Sequence, residues 1–183
     1  LADDGTTTIA EFTGEGANRV YKTIDQIPED LQHAFVAIED SRFYKHNGVD
    51  IQGIIRAFVV GITHGGNFSE GASTITQQLI KNNVFPDFVN ESTFEEKLER
   101  KIQEQYLAIQ VEKQLDKDSI LESYLNTINL GQDCLGVQSA AQRYFNKDVN
   151  ELNLSESATI AAITQNPGRY NLITNPEDNA TRR

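Results

Sequence analysis

Several things that would point to a function by composition alone are missing from this sequence. A single cysteine, Cys134, excludes an internal disulfide framework and a cysteine-rich zinc site. The three histidines, His33, His46 and His64, show no metal-ligand spacing. Methionine and tryptophan are absent. With no initiator methionine and no signal peptide, the chain reads as a piece of a longer protein, excised or processed. No apolar run approaches the roughly 18–20 residues that span a bilayer. The longest, Ala57 to Ile62, has Gly61 inside it, so any anchor or targeting segment lies outside these residues. Positive charge is scarce, with 16 Lys and Arg against 27 Asp and Glu and a formal net charge of -11. Such a chain is a poor general partner for nucleic acid, which needs clustered cations to neutralise phosphate. There is no Walker-type loop, no dinucleotide-binding glycine fingerprint and no Gly-x-Ser-x-Gly elbow.

What remains is ordinary globular material. The 183 residues are 38% hydrophobic and 23% charged, enough to bury a core as a single domain spanning 1–183. Thr6–Phe12 and Arg19–Ile24 are rich in β-branched and aromatic residues and flank a Gly14–Asn18 turn segment, which predicts an N-terminal hairpin. From Pro28 the period becomes helical. Leu31, Ala34, Phe35 and Ile38 share a face, with Pro28 and two acids in the first turn. Ile51, Ile54, Ile55, Phe58, Val59 and Ile62 form a second helix, ended by Gly65-Gly66-Asn67. A third opens on Ser73 as N-cap and stops before Pro86. A fourth, about Phe94 to Leu115, carries an apolar stripe of Phe94, Leu98, Ile102, Tyr106 and Ile109. The fifth spans Ser119 to Ile128, with Ser119 and Glu122 spaced as a capping box. Gly136–Phe145 and Ser155–Thr164 complete a mainly α architecture. Nothing in Asn179–Arg183 stops a helix, so the fold can continue past that end.

Three clusters could carry chemistry. Glu39 and Asp40 close an apolar helix, with His46 and Gly48 behind them; carboxylates beside apolar surface suit a general acid or base. The same residues also fit a solvated helix end. Gly71 to Asn82 gathers hydroxyls, amides and Lys81 at a helix start, suited to a sugar or phosphate. Thr74, Gln78 and Lys81 share one face there; an ordinary polar helix is the other reading. Arg100, Lys101 and Glu104 form i, i+3 and i, i+4 pairs, which a surface salt-bridge ladder would also explain.

Taken in order, these clusters resemble the peptidoglycan glycosyltransferase domain, glycosyltransferase family 51, found in class A penicillin-binding proteins and in monofunctional transglycosylases. Glu39, Asp40, Phe43, His46 and Gly48 match the first motif, Glu-Asp-x-x-Phe-x-x-His-x-Gly. Gly71 to Gln78 matches Gly-Gly-Ser-Thr-Ile-x-Gln-Gln, with Ala72 in place of the second glycine. Arg100, Lys101 and Glu104 match Arg-Lys-x-x-Glu. Ile120 to Asn126 matches Ile-Leu-Glu-x-Tyr-Leu-Asn. Ala141, Arg143, Tyr144 and Phe145 match a fifth element, with Asn146 where glycine is common. The resemblance runs from about Ile24 to Pro176.

The resemblance implies a lysozyme-like fold with a larger head lobe and a smaller, membrane-facing jaw. It implies polymerisation of lipid II onto a growing glycan strand, with inversion to a β-1,4 link and release of undecaprenyl pyrophosphate. By motif position Glu39 is the base, and Asp40 raises its pKa by like-charge repulsion or orients nearby groups. Lys81, Arg100 and Lys101 support the leaving pyrophosphate, and Glu104 holds those cations or a divalent ion. Phe43, His46, Ser73, Thr74, Gln77 and Gln78 are the remaining implied substrate contacts. No metal cage is required by the sequence, although a divalent cation, Mg or Mn, is compatible with the family. Ile120–Asn126 positions the fold. The face of Ile54, Ile55, Phe58, Val59 and Ile62 is either core or a surface resting in the bilayer interface. Also implied are the extracytoplasmic face of the cell membrane, an N-terminal transmembrane anchor absent from this chain, and a transpeptidase domain as a partner in the parent chain. A lysozyme-like glycan cleaver and a non-catalytic glycan- or lipid-binding module are the competing readings.

Overall fold

The computed structural model describes residues 19–63, 71–85, 88 and 90–183. Helix α1 (Glu29–Glu39) begins at Pro28, which is the N-cap and not part of the first turn, and Glu29 and Asp30 sit where the helix dipole favours acids. Helix α2 spans Ile51–Thr63. Helix α3 (Ile75–Val84) starts one residue later than expected, because Thr74 and not Ser73 caps it. The Thr74 hydroxyl accepts the Gln77 N–H at 3.2 Å, and the Gln77 side chain accepts the Thr74 N–H at 3.2 Å. That closed box leaves the Ser73 hydroxyl pointing elsewhere.

Helix α4 (Phe94–Val111) ends earlier than its apolar stripe suggested, in a turn through Leu115. Helix α5 (Lys117–Thr127) is capped by Asp116, whose carboxylate accepts the Ser119 N–H at 2.8 Å. The expected Ser119–Glu122 box does not form. Glu122 is drawn instead to the incoming chain, where it accepts the Ile24 N–H at 2.6 Å and the Tyr21 hydroxyl. Helix α6 (Val137–Phe145) stops at Asn146, which adopts the left-handed conformation at φ 54. Helices α7 (Leu154–Ala162) and α8 (Pro176–Arg182) follow, α7 capped by Asn153.

Among the described residues there is no strand, only an isolated bridge between Asn129 and Leu135. The Thr6–Phe12 arm of the expected hairpin lies outside the described residues. The Arg19–Ile24 arm is not a strand: it runs irregularly into a 3-10 turn at Ile24–Gln26. Its extended backbone is held by side chains, with the Lys22 N–H donating to Asn126 at 2.8 Å and the Asn126 amide returning a bond to the Lys22 carbonyl at 2.8 Å. This assigns the Ile120–Asn126 motif the structural role expected of it.

The core is drawn from Leu31 and Phe35 of α1, Ile75 of α3, Ile120, Leu121, Tyr124 and Leu125 of α5, Val137 and Ala140 of α6, and Ile160 of α7. Helix α1 packs chiefly on α7, and α3 packs on both α4 and α5. Close approach requires glycine in the loop after α1. Gly48 has φ +90, and a Cβ there would lie 2.6 Å from the Ala108 backbone, so only glycine lets the loop after α1 rest against α4.

Helices α2 and α4 are built the other way round. Ile51, Ile55, Phe58 and Val59 of α2 are exposed. On α4, Phe94 is 74% exposed and Tyr106 63%, with Leu98 and Ile102 beside them, while Glu104 on the opposite face is 0% exposed. No helix among the described residues is long and apolar enough to cross a membrane.

Candidate active site

Glu39 is the last residue of α1, and three other elements meet its carboxylate. Gln78 of α3 donates its amide N–H to Oε2 at 2.9 Å. The Thr164 hydroxyl, just beyond α7, donates to Oε1. Arg182 of α8 places Nη2 3.6 Å from the same oxygen. The orientation of the Gln78 amide is itself set, because the Tyr124 hydroxyl donates to its Oε1 at 3.1 Å. Burial, and then the charges of Glu39 and Asp40, hold the Tyr124 phenol well above its ordinary value, so it stays a donor.

Asp40 turns away from Glu39. Both of its oxygens lie against His46 Nε2, at 2.9 and 3.0 Å, and Oδ2 also accepts the Ile75 N–H at 3.1 Å. That N–H belongs to the first residue of α3, where an anion is favoured. Of the two tasks expected of Asp40, the geometry fits orientation: it fastens the first turn of α3 to the end of α1. Phe43 packs edge-on beneath His46, with ring centroids 6.3 Å apart.

Glu104 is fully buried on α4 and is satisfied by cations. The Arg100 guanidinium contacts Oε1, and Lys101 Nζ lies 2.9 Å from Oε2. Lys101 also donates to the Ser73 hydroxyl at 2.7 Å, which uses the hydroxyl that capping left free. Arg100 Nε donates to Glu91 at 2.6 Å, so one acid of the Glu91–Glu99 stretch is spent on a site cation. Lys81 Nζ sits 4.8 Å from the centre of the Phe88 ring. Burial lowers the Lys81 ammonium below the ordinary lysine range; Lys101 and Arg100 push it the same way, while Glu104 and Glu39 oppose them.

Glu39, Ser73, Gln78, Lys81, Gln165 and Arg182 line one cleft of about 580 Å³. The cleft thus holds the Glu39 carboxylate of α1 with three cations, Arg56 of α2, Lys81 of α3 and Arg182 of α8. Six of the expected contacts do not line that surface: Arg100 lines a separate cavity with Phe88 and Glu91, Lys101 reaches the cleft only through Ser73, and the other four lie deeper. Phe43, His46, Thr74 and Gln77 are buried and are occupied by packing, by Asp40 and by the α3 cap. Their spacing identified them, but burial places them behind the cleft. Divalent-ion ligation finds no fitting donor set: both Glu104 oxygens and both Asp40 oxygens are engaged, and no group of three metal-binding side chains occurs among the described residues.

Sequence reasoning did not find Thr164, Gln165 or Arg182. Thr164 and Glu39 are 125 residues apart in the chain, and no local pattern connects them. Arg182 left one visible signal, a basic pair at the end of an acidic chain. Its Nε donates to the Ala162 carbonyl at 3.1 Å and its guanidinium lies 5.2 Å from the centre of the Tyr170 ring.

Residues 5–183 match the family model described as Transglycosylase. Penicillin-binding protein 1A of Clostridium perfringens (strain 13) is 51% identical over 149 residues, covering 80% of this chain and 21% of that protein. The Clostridium botulinum (strain Langeland) protein of the same name is 46% identical over 155 residues, covering 83% of this chain and 18% of its own length. In Neisseria lactamica, penicillin-binding protein 1A is 48% identical over 159 residues, covering 87% and 19%. This chain therefore spans about a fifth of the length of the curated relatives it matches, and those relatives carry a further region. The chain belongs to the transglycosylase family: it is a mainly helical, lysozyme-like peptidoglycan glycosyltransferase.

Proposed function

We propose that this domain, taken as one unit over residues 1–183, polymerises lipid II into β-1,4-linked glycan strands. The observation that carries the reading is the Glu39 carboxylate facing Lys81, and Lys101 through Ser73, across one cleft. Glu39 takes the proton from the 4-hydroxyl of the acceptor N-acetylglucosamine. The freed oxygen bonds to C1 of the donor N-acetylmuramic acid. The bond from C1 to the phosphate oxygen breaks, and its electron pair leaves with undecaprenyl pyrophosphate. Charge grows on that leaving group, and preplaced cations stabilise it. Arg100 offers a planar fork and Lys81 and Lys101 point charges.

A glycan-cleaving enzyme needs a second available carboxylate near the sugar. Glu104 does not meet that need, since it is fully buried and neutralised by Arg100 and Lys101, which favours transfer over cleavage. The exposed apolar faces of α2 and α4 support a surface that rests in the bilayer interface where a lipid-linked substrate arrives. That setting agrees with a domain held at the extracytoplasmic face of the membrane by an anchor. A transpeptidase domain in the same parent chain agrees with the length of the relatives.

The deciding experiment is incubation with lipid II and separation of products by chain length. Glycan polymer is expected. Cleaved fragments from a preformed glycan, with no polymer from lipid II, would replace this reading with the hydrolytic one.

A further inference from the structure

We infer that Thr164 is a positioning residue for glycosyl transfer, its hydroxyl holding the Glu39 carboxylate through both of the protonation states that the reaction visits. The inference rests on the reading of Glu39 as the base. The Thr164 Oγ1 has two acceptors in reach. It contacts Glu39 Oε1, and it lies 2.9 Å from the Ala161 carbonyl of its own helix turn. A hydroxyl has one hydrogen and two lone pairs, so only one of those acceptors is served at a time.

While Glu39 is ionised, its charge draws the hydrogen, and Thr164 donates to Oε1. Once Glu39 has taken up the acceptor's proton, that oxygen no longer attracts a donor as strongly. The Thr164 hydrogen then turns to the Ala161 carbonyl, and a lone pair of Oγ1 faces the new carboxylic acid. Neither state leaves a buried polar atom without a partner. The other groups facing Glu39 lack this versatility. Arg182 on α8, at 3.6 Å, and Lys81 on α3, across the cleft, are cations that favour only the ionised form. The Gln78 amide presents its N–H because Tyr124 fixes its other end. Asp40 is turned toward His46.

The hydroxyl also decides direction. Thr164 and Gln78 approach the two carboxylate oxygens from different elements and so fix the plane of the group. With the Thr164 donor removed, the nearest remaining partner of Oε1 is Arg182. The carboxylate would close on it and turn from the acceptor.

The test compares Thr164→Ser with Thr164→Ala in lipid II polymerisation. Both variants delete the methyl group and share any packing defect; only the hydroxyl separates them. Serine is expected to keep kcat within about twofold of the unmodified chain, and alanine to lower kcat about tenfold with little change in KM, as for a group acting in the transition state. A melting temperature measured on both variants removes stability as the cause. Equal kcat for Ser and Ala would overturn the inference, and so would a loss confined to KM. Glu39→Gln run in parallel separates the two levels. If that variant still polymerises, the reading of Glu39 falls. If it is inactive while Thr164→Ala works at full rate, only the Thr164 inference falls.

Discussion

Helices α5 and α4 both carry an apolar stripe, and they turn it in opposite directions. In α5, Ile120, Leu121, Tyr124 and Leu125 are all closed to solvent, and the polar residues lie outside or tie down the incoming chain. In α4 Phe94, Leu98, Ile102, Tyr106 and Ile109 lie outside, and the fully buried positions are Glu104 and Ala108. Helix α2 follows α4, with Ala57 inward and Ile55 and Phe58 outward. The lesson is that hydrophobic periodicity locates a helix but does not say which way it faces. In α5 the apolar stripe is stability. In α4 it is surface, and the buried stripe is electrostatic, a carboxylate organising two cations beside the cleft.

The comparison can be broken first at the seam between the two regions, where Glu39 shares a cleft with Lys81 of α3, the helix that packs on both α4 and α5. Glu39→Gln is expected to lower polymerisation by about a thousandfold or more, within the range of general-base losses, with an unchanged melting temperature. Polymer formation at a substantial rate would remove Glu39 from the mechanism. Next in size is Leu125→Ala in α5, expected to cost about 2–5 kcal/mol as a large-to-small change in a closed core, read by denaturant unfolding. Ile102→Ala on α4 should stay within about 0.5 kcal/mol, as exposed changes do; equal losses at the two positions would erase the contrast.

A third test sharpens the same point by function. Phe58→Ser combined with Ile102→Ser should leave unfolding unchanged and weaken sedimentation with anionic lipid vesicles severalfold, since interfacial binding scales with buried apolar area. Unchanged vesicle binding would assign the outward stripes to something other than a bilayer. The smallest effect concerns pH. Burial lowers Lys81 below the ordinary lysine range, so the charge it offers is lost as pH rises through that lowered value. The alkaline limb of kcat/KM should therefore fall below about 10.4, the ordinary lysine value. Lys81→Arg, which keeps its proton, should move that limb upward. An unmoved limb assigns it to another group.

Much of the fold was legible because it is local. Helices α1, α2, α6 and α7 lie close to where periodicity put them, and Asn146, standing where glycine is common, takes a left-handed turn. The errors have physical causes. Ser73 and Ser119 looked like caps, but Thr74 closes a complete box and Asp116 brings a charge to its helix terminus, so each outcompetes the nearby serine. The second arm of the expected hairpin is β-prone, yet it is held through the Lys22–Asn126 and Ile24–Glu122 bonds and not by a partner strand.

For the site, motif spacing found the residues that surround the cleft but could not sort lining from support. Phe43, His46, Thr74 and Gln77 were read as contacts and proved to be the layer behind. Residue types at fixed intervals in the sequence determined the helices, the acid at the end of α1 and the cationic pair on α4, because those depend on neighbours within a turn or two. Only the tertiary structure decided that Thr164 and Arg182 would meet Glu39, that Glu104 would be buried beneath its cations, and that α2 and α4 would turn their apolar faces outward. Those outcomes depend on how α7 packs on α1, α8 on α7, and α3 on α4 and α5, and packing between distant segments leaves no period in the chain to read.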